Sequence, residues 1–447
     1  MNREFTEKLL EMTARKQPFA VATVISVRGS ASAKPGAKAI IDGGGRNVFG
    51  WVGGGCAETL VREEALVALE DRKTRIVTAD LDDEVLGVGM PCGGLMDVYI
   101  EPVFPQPRLI IAGQNKLAQN LVLHAQLLGF AVTVHAPQAE RADFPAAEQV
   151  LAAPYGEIEA TADSFVVVAT QHEGDREALG RALTAEAGYI ALVANRSNAQ
   201  RVFDRLRKDG FPEELFARVH TPAGLDLGGR GPEEISLSIV AEMLAFGREA
   251  DCRPLRESKG RGGAALPAPP AMDNGPGALL IVGHGRIAEE LARLGVLLGR
   301  QVTVNSPGAL PEDFPSAARL VTGDLDFSAM QVTPETSVVI ATQHKGDHLS
   351  MKAALRGQAR YIGLIASQKR SGLVLDYLAE EGARQDALDA VYAPAGLDLG
   401  GVTPAEIALS VMSQILALNH GASGESMRRI KSVGAVTEAA GCKGLFD

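Results

Sequence analysis

The apolar positions of this chain fall into two kinds of run. Short, continuous, β-branched runs such as Phe19–Val27, Ala278–Val282 and Ser337–Thr342 read as buried strands. Longer segments with apolar residues at helical spacing, such as Ala57–Asp71 and Arg286–Gly299, read as amphipathic helices. In residues 1–106 the strands come in series: Phe19–Val27, Ala37–Ile41, Val48–Val52, Arg75–Ala79 and Leu95–Glu101. One helix interrupts them, and Asp42-Gly43-Gly44-Gly45 marks a turn. This pattern predicts an α+β domain ending near the prolines at 102, 105 and 107.

Beyond residue 107 strand and helix alternate, the pattern of a doubly wound parallel sheet with helices on both faces. The pattern occurs twice. Ala169-Thr-Gln-His172 returns as Ala341-Thr-Gln-His344, and Pro222-Ala-Gly-Leu-Asp-Leu-Gly-Gly229 returns as Pro394-Ala-Gly-Leu-Asp-Leu-Gly-Gly401, each 172 positions later. Each copy is long enough to be a domain, so tandem duplication is expected rather than a solenoid. The expected organisation is an amino-terminal domain at 1–106 and Rossmann-like domains at 107–250 and 276–420. A Pro- and Gly-rich linker at 251–275 and a tail at 421–447 complete it.

Charge narrows the function classes. The 447 residues carry a formal net charge of -11 with no long basic run. That disfavours nucleic-acid binding, which needs a concentrated basic face. No run approaches the ~20 apolar residues of a membrane span, and Met1–Lys16 lacks a signal-peptide core, so a cytoplasmic location is expected. The four cysteines, Cys56, Cys92, Cys252 and Cys442, form no C-x-x-C pair and no disulfide framework.

Two places carry candidate chemistry. Gly53-Gly54-Gly55-Cys56 opens a predicted helix, where the helix N-terminus stabilises a thiolate and the glycines leave the backbone bare. Cys92 also lies among glycines. Such thiolates can ligate a soft metal or carry sulfur; the alternative is a small buried residue. In the second repeat Gly283-His284-Gly285-Arg286-Ile287-Ala288 follows a strand and opens a helix, which fits a phosphate-binding turn. The first repeat has Asn115 where the second has Gly285, and a side chain there crowds a phosphate. No acid follows the second strand of either copy (His135-Ala136, Asn305-Ser306), which counts against nicotinamide binding. His344, at a strand end near the better loop, is a further candidate. Asp226 and Asp398 read more readily as acids bracing glycine turns.

At this point the chain resembles the XdhC/CoxI family of accessory proteins for molybdenum hydroxylases. The resemblance rests on Val27-Arg28-Gly29-Ser30, Pro35-Gly36-Ala37, Gly53-Gly54-Gly55-Cys56 and Cys92-Gly93-Gly94. Further along it rests on Tyr361–Ser367, Ala393–Gly400 and Thr403-Pro404-Ala-Glu406-Ile407. It implies a carrier without turnover of its own that binds the molybdenum cofactor in its molybdopterin form. It also implies sulfuration by a cysteine desulfurase and delivery to an apo molybdenum hydroxylase of xanthine dehydrogenase or aerobic CO dehydrogenase type. Cys56 and Cys92 would then meet the metal, while Gly53, Gly54, Gly55, Gly283, Gly285 and His344 would line cofactor sites. A homo-oligomer is expected. The chain departs from the usual pattern in having two Rossmann domains, and NAD(P) is in doubt as a ligand. The rival readings are an NAD(P)-dependent oxidoreductase and a nucleotide-sensing regulator.

Overall fold

The computed structural model describes residues 3–29, 31–54, 56–80, 94–259, 277–328, 330–342 and 346–430, with Cys56, Asp80, Ser258 and Lys259 described by backbone alone. The chain divides into two compact units, one running to Gln106 and the other starting at Pro107.

The first unit contains α1 (Arg3–Ala14), β1 (Phe19–Gly29), β2 (Lys38–Asp42), β3 (Asn47–Gly50), α2 (Cys56–Asp71), β4 (Arg75–Asp80) and β5 (Gly94–Val103). Its strands form one antiparallel sheet in the order β3-β2-β1-β5-β4. The unbroken apolar run of β1 has a simple cause: both its faces are covered. Phe19 and Val21 pack with Phe5 and Met12 of α1. Ala20, Ala22 and Val24 pack with Ala57, Val61, Ala65 and Ala68 of α2.

The second unit opens with β6 (Arg108–Ala112), α3 (Lys116–Leu127), β7 (Ala131–His135), β8 (Gln149–Leu151), β9 (Ser164–Val168) and α4 (Asp175–Thr184). β10 (Tyr189–Leu192), α5 (Arg196–Lys208), α6 (Glu213–Phe216), β11 (Val219–His220), α7 (Pro232–Gly247) and α8 (Leu255–Lys259) follow. The second repeat has β12 (Ala278–Val282), α9 (Arg286–Leu297), β13 (Gln301–Asn305), β14 (Arg319–Val321), β15 (Thr336–Ile340) and α10 (Asp347–Arg356). It ends with β16 (Tyr361–Leu364), α11 (Gln368–Glu380), α12 (Gln385–Asp389), α13 (Pro404–His420) and α14 (Met427–Ile430). The two parallel sheets run β11-β10-β9-β6-β7-β8 and β14-β13-β12-β15-β16. In both, the order reverses beside the first strand of the repeat, which opens a ligand crevice at the carboxyl ends of the strands.

The repeats are joined about a local pseudo-two-fold relation. Each one's carboxyl-terminal segment crosses to the other's Gly-Leu-Asp-Leu-Gly-Gly loop. The arm after α7 pairs with the second repeat: Cys252 N donates to Asp398 O (3.0 Å), Asp398 N to Arg253 O (2.6 Å) and Leu255 N to Gly396 O (2.8 Å). The arm after α13 mirrors this on the first repeat: Gly424 N to Asp226 O (2.8 Å), Asp226 N to Glu425 O (2.7 Å) and Met427 N to Gly224 O (3.0 Å). Two matched contacts flank the arms, the Arg248–Glu406 ion pair at 3.2 Å and the His420–Glu234 hydrogen bond at 3.1 Å. The start of the expected linker and of the expected tail are therefore structured arms. Helices α7 and α13 meet between the repeats and are buried along most of their length. One apolar core, from Leu109 to Ala417, runs through both repeats. That explains why these two helices are apolar all round rather than on one stripe.

Among the described residues no helix is long and apolar enough to cross a membrane.

Candidate functional site

In the first unit, Gly53 takes a left-handed conformation (φ 118°), and a Cβ there would press on Ala57 Cβ at 3.3 Å. Gly54 has open space around it. The glycine run thus lets the chain turn closely into α2, whose first residue is Cys56. Gly55, the Cys56 side chain and Cys92 lie outside the described residues. In the same sheet, Asp97 accepts from Ser26 Oγ (2.5 Å) and Thr78 Oγ1 (2.7 Å). Those two hydrogen bonds hold its carboxyl below the usual carboxylate range. Arg28, mostly exposed, stands 3.7 Å from the same carboxylate.

The turns after β6 and β12 show how the two repeats have diverged. Gly113 and Gly283 press against strand ends: a Cβ would meet Ala169 O at 2.4 Å and Ala341 O at 2.5 Å. Glycine is required at both (φ 149° and 119°). At the next-but-one position they differ. Asn115 caps α3: its Oδ1 accepts from Ala118 N (3.0 Å) and its Nδ2 donates to Ala169 O (2.6 Å). The carboxamide thus fills the place a phosphate would take. Gly285, at φ 100°, is the N-cap of α9 and supplies no side-chain cap. The positive end of α9 is thus left without a side-chain cap, the usual setting for an anion.

Around the α9 turn, Gly283 N donates to Asn305 O (3.0 Å), and His284 Nδ1 lies 2.7 Å from Ser306 Oγ. Asn305 stands where a ribose-binding acid is often found. Its Nδ2 donates to Asp324 Oδ2 (2.8 Å), so an acid does reach this strand end, from the segment after β14. Sequence reasoning misses Asp324; the only signal for it is an acid shortly after the third short strand.

The ends of β9 and β15 carry a second pair of related clusters. Thr170 Oγ1 donates to Asp175 Oδ1, with His172 against the other oxygen. Thr342 Oγ1 donates to Asp347 Oδ1, and Arg370 binds the other oxygen. His344, expected beside Thr342, lies outside the described residues.

Asp226 accepts from Ser423 Oγ (3.0 Å), and Asp398 Oδ1 receives Gly400 N (3.4 Å). Both acids therefore brace the arms and turns. Cys252 is buried in the first arm, where burial pushes its thiol up to about 12 and leaves it unreactive at neutral pH. Among the described residues, no group of three or more His, Cys, Asp or Glu side chains could hold a metal ion.

Comparison with known proteins agrees with this architecture. The XdhC Rossmann domain matches twice, at residues 109–243 and 279–415. The XdhC and CoxI family matches at 12–80. YqeB of Escherichia coli (strain K12) is 31% identical over 297 residues, 64% of this chain and 52% of that protein. A probable xanthine dehydrogenase component of Bacillus subtilis (strain 168) is 29% identical over 156 residues, 33% of this chain and 45% of that protein. The matches span about half the length of these curated relatives. Among solved structures, a xanthine dehydrogenase from Bacillus halodurans is 24% identical, covering 53% of this chain and 94% of that one, with a TM-score of 0.29. That low score lends no weight to a shared overall arrangement. With both Rossmann repeats matched over more than half of its length, and the amino-terminal match beside them, the chain belongs to the XdhC and CoxI family.

Proposed function

We propose that this protein is an accessory factor that binds the molybdenum cofactor as cargo, assists its sulfuration and delivers it to an apo molybdenum hydroxylase. Family membership supports a molybdenum hydroxylase as the class of partner. The observation that carries the cargo assignment is the uncapped glycine turn at α9, set against the Asn115-capped turn at α3. A molybdopterin has a phosphate, and an open helix N-terminus suits a phosphate through its amides and dipole. Gly283 and Gly285 would hold that phosphate, and His344 is proposed as a further cofactor-binding residue.

Cys56 and Cys92 are the proposed sulfur ligands. Cys56 starts α2, a position that favours the thiolate. A soft thiolate is suited to molybdenum or to carrying a persulfide sulfur received from a cysteine desulfurase. The buried Asn305–Asp324 pair leaves the strand end without the free acid that a nicotinamide ribose would use. That favours cofactor carriage over NAD(P)-dependent redox chemistry.

The test is paired. Gly285→Asp places a negative side chain at the α9 turn, and Asn115→Asp does the same at the α3 turn. Gly285→Asp is expected to weaken molybdopterin binding about tenfold or more, while Asn115→Asp leaves it near wild type. Equal losses, or none in Gly285→Asp, would remove the phosphate assignment. Cys56→Ala should lower sulfuration of the cargo severalfold with the fold intact; unchanged activation of the client hydroxylase would remove the cysteine role.

A further inference from the structure

The sequence Ala-Thr-Gln-His-x-Gly-Asp occurs at 169–175 and again at 341–347. In the first repeat it forms part of a hydrogen-bond chain with a direction. Arg201 Nη1, which can only donate, faces Asn198 Oδ1 at 3.4 Å. The carboxamide is thereby set so that its Nδ2 donates to His172 Nε2 at 3.0 Å. His172 Nδ1 lies 3.2 Å from Asp175 Oδ2. An ionised carboxylate can only accept, so the ring proton is on Nδ1 and Nε2 carries a lone pair. Thr170 Oγ1 donates to the other carboxylate oxygen at 2.5 Å and locks it.

Exposure sets this cluster apart from an ordinary helix start. The Asp175 side chain is only 4% exposed, whereas that of His172 is 58% exposed. Gln171 and His172 are both left-handed (φ 55° and 80°), the centre of a tight turn closed by Glu173 N donating to Thr170 O (3.3 Å), and this turn carries the imidazole outward. In the second repeat the corresponding carboxylate oxygen of Asp347 is bound by Arg370 through Nε (3.2 Å) and Nη2 (3.1 Å). Arg370 stands at the position of Asn198. The second repeat thus sets a guanidinium against its buried acid, and the first an imidazole.

The cluster sits at the carboxyl end of β9, the ligand side of a doubly wound sheet. Beside it Asn115 closes the phosphate position by binding Ala169 O. A ligand here would therefore lack a phosphate, and the Asn198 carboxamide marks where its donor would sit.

We propose that His172, oriented by Asp175, accepts a proton from a phosphate-free ligand bearing a weakly acidic ring N–H or hydroxyl, bound at the strand ends of the first repeat. The ligand displaces Asn198 from Nε2. Its X–H bond breaks, an Nε2–H bond forms, and the electron pair stays on X. The resulting imidazolium faces the Asp175 carboxylate, and the reverse transfer returns the proton. Nothing is oxidised or reduced. The phosphate-free character of the ligand rests on the reading of the Asn115 turn given above; the proton step at His172 does not.

The test uses the full chain with 15N-labelled histidine, the His172 signals being identified by their loss in His172→Gln. The expected spectrum has a protonated Nδ1 and an unprotonated Nε2, with the preference lost in Asp175→Asn. Adding free uracil or free pterin as ring N–H probes is expected to shift Nε2 in the wild type and not in Asp175→Asn. A second readout is acylation of His172 by diethyl pyrocarbonate, located by peptide mass. It should fall about tenfold in Asp175→Asn, where the proton moves to Nε2, and rise in Asn198→Ala. A protonated Nε2 in the wild type, no response to either probe, or equal acylation in all three proteins would overturn the proposal.

Discussion

Glu406 offers the sharpest test of the crossed-arm architecture. Its carboxylate is almost fully buried (side chain 6% exposed) and serves two ends of the structure at once. Oε2 accepts the amides of Val402 and Thr403, each at 2.8 Å, completing the capping box of α13. Oε1 receives Arg248 Nη2 from the end of α7 at 3.2 Å. Glu406→Ala removes two charge-assisted hydrogen bonds and leaves the Arg248 side chain, itself 10% exposed, without this carboxylate. Breaking one side of a buried pair typically costs about 3–5 kcal/mol, and that is the expected loss here. The symmetry-related Glu234 gives an internal control. It caps α7 through Arg230 N (3.0 Å) and meets His420 at 3.1 Å, but this pair is several times more exposed. Solvent screening lowers the expected loss for Glu234→Ala to about 1–2 kcal/mol. Urea unfolding of both variants, followed by fluorescence and circular dichroism, would measure the difference. A cycle with Arg248→Met would isolate the coupling. The reasoning fails if Glu406→Ala costs no more than Glu234→Ala, or if the cycle shows no coupling.

Two further predictions concern the same unit. His124 is buried, with Nδ1 2.8 Å from Ser236 Oγ, and burial lowers its pKa to about 4. Since the unfolded ring titrates near 6.5, the unfolded state binds more protons between the two values; stability is therefore full above that window and falls as pH drops through it, by roughly 3 kcal/mol. His124→Phe should flatten that part of the stability profile, and an unchanged profile would contradict the assignment. Gly224 takes φ 98°, and a Cβ there would lie 2.4 Å from Ser238 Oγ. Gly224→Ala should destabilise by about 2 kcal/mol or more in thermal unfolding, because positive φ and the close approach act together.

Much of this fold is legible in the sequence, for reasons that can be named. Strand positions such as Phe19–Val24 and Ala278–Val282 follow from apolar runs that are buried on both faces. The glycines at 113, 283 and 285 announce turns because no other residue fits their backbone. The divergence at Asn115 is also visible, since one side chain replaces a bare turn. The crossed arms are not legible. Their contacts are backbone hydrogen bonds between segments far apart in the chain, which leave no periodic pattern in residues 250–256 or 422–428. Their composition reads as linker and tail. The matched side-chain contacts are hidden for the same reason, because Arg248 and Glu406 are 158 positions apart. Asp324 illustrates a third cause: the acid near Asn305 arrives from the following strand, so inspecting the end of β13 alone cannot find it. The crossed arms also give each Rossmann repeat a partner within the same chain.

The most direct test of the cofactor assignment is to purify the full chain from cells that make the molybdenum cofactor, oxidise it, and quantify the fluorescent pterin released together with molybdenum. The account predicts pterin and molybdenum in a near one-to-one ratio, approaching one per chain, with marked loss from Gly285→Asp. Folded protein that carries neither, and that fails to take up cofactor when it is supplied, would contradict it.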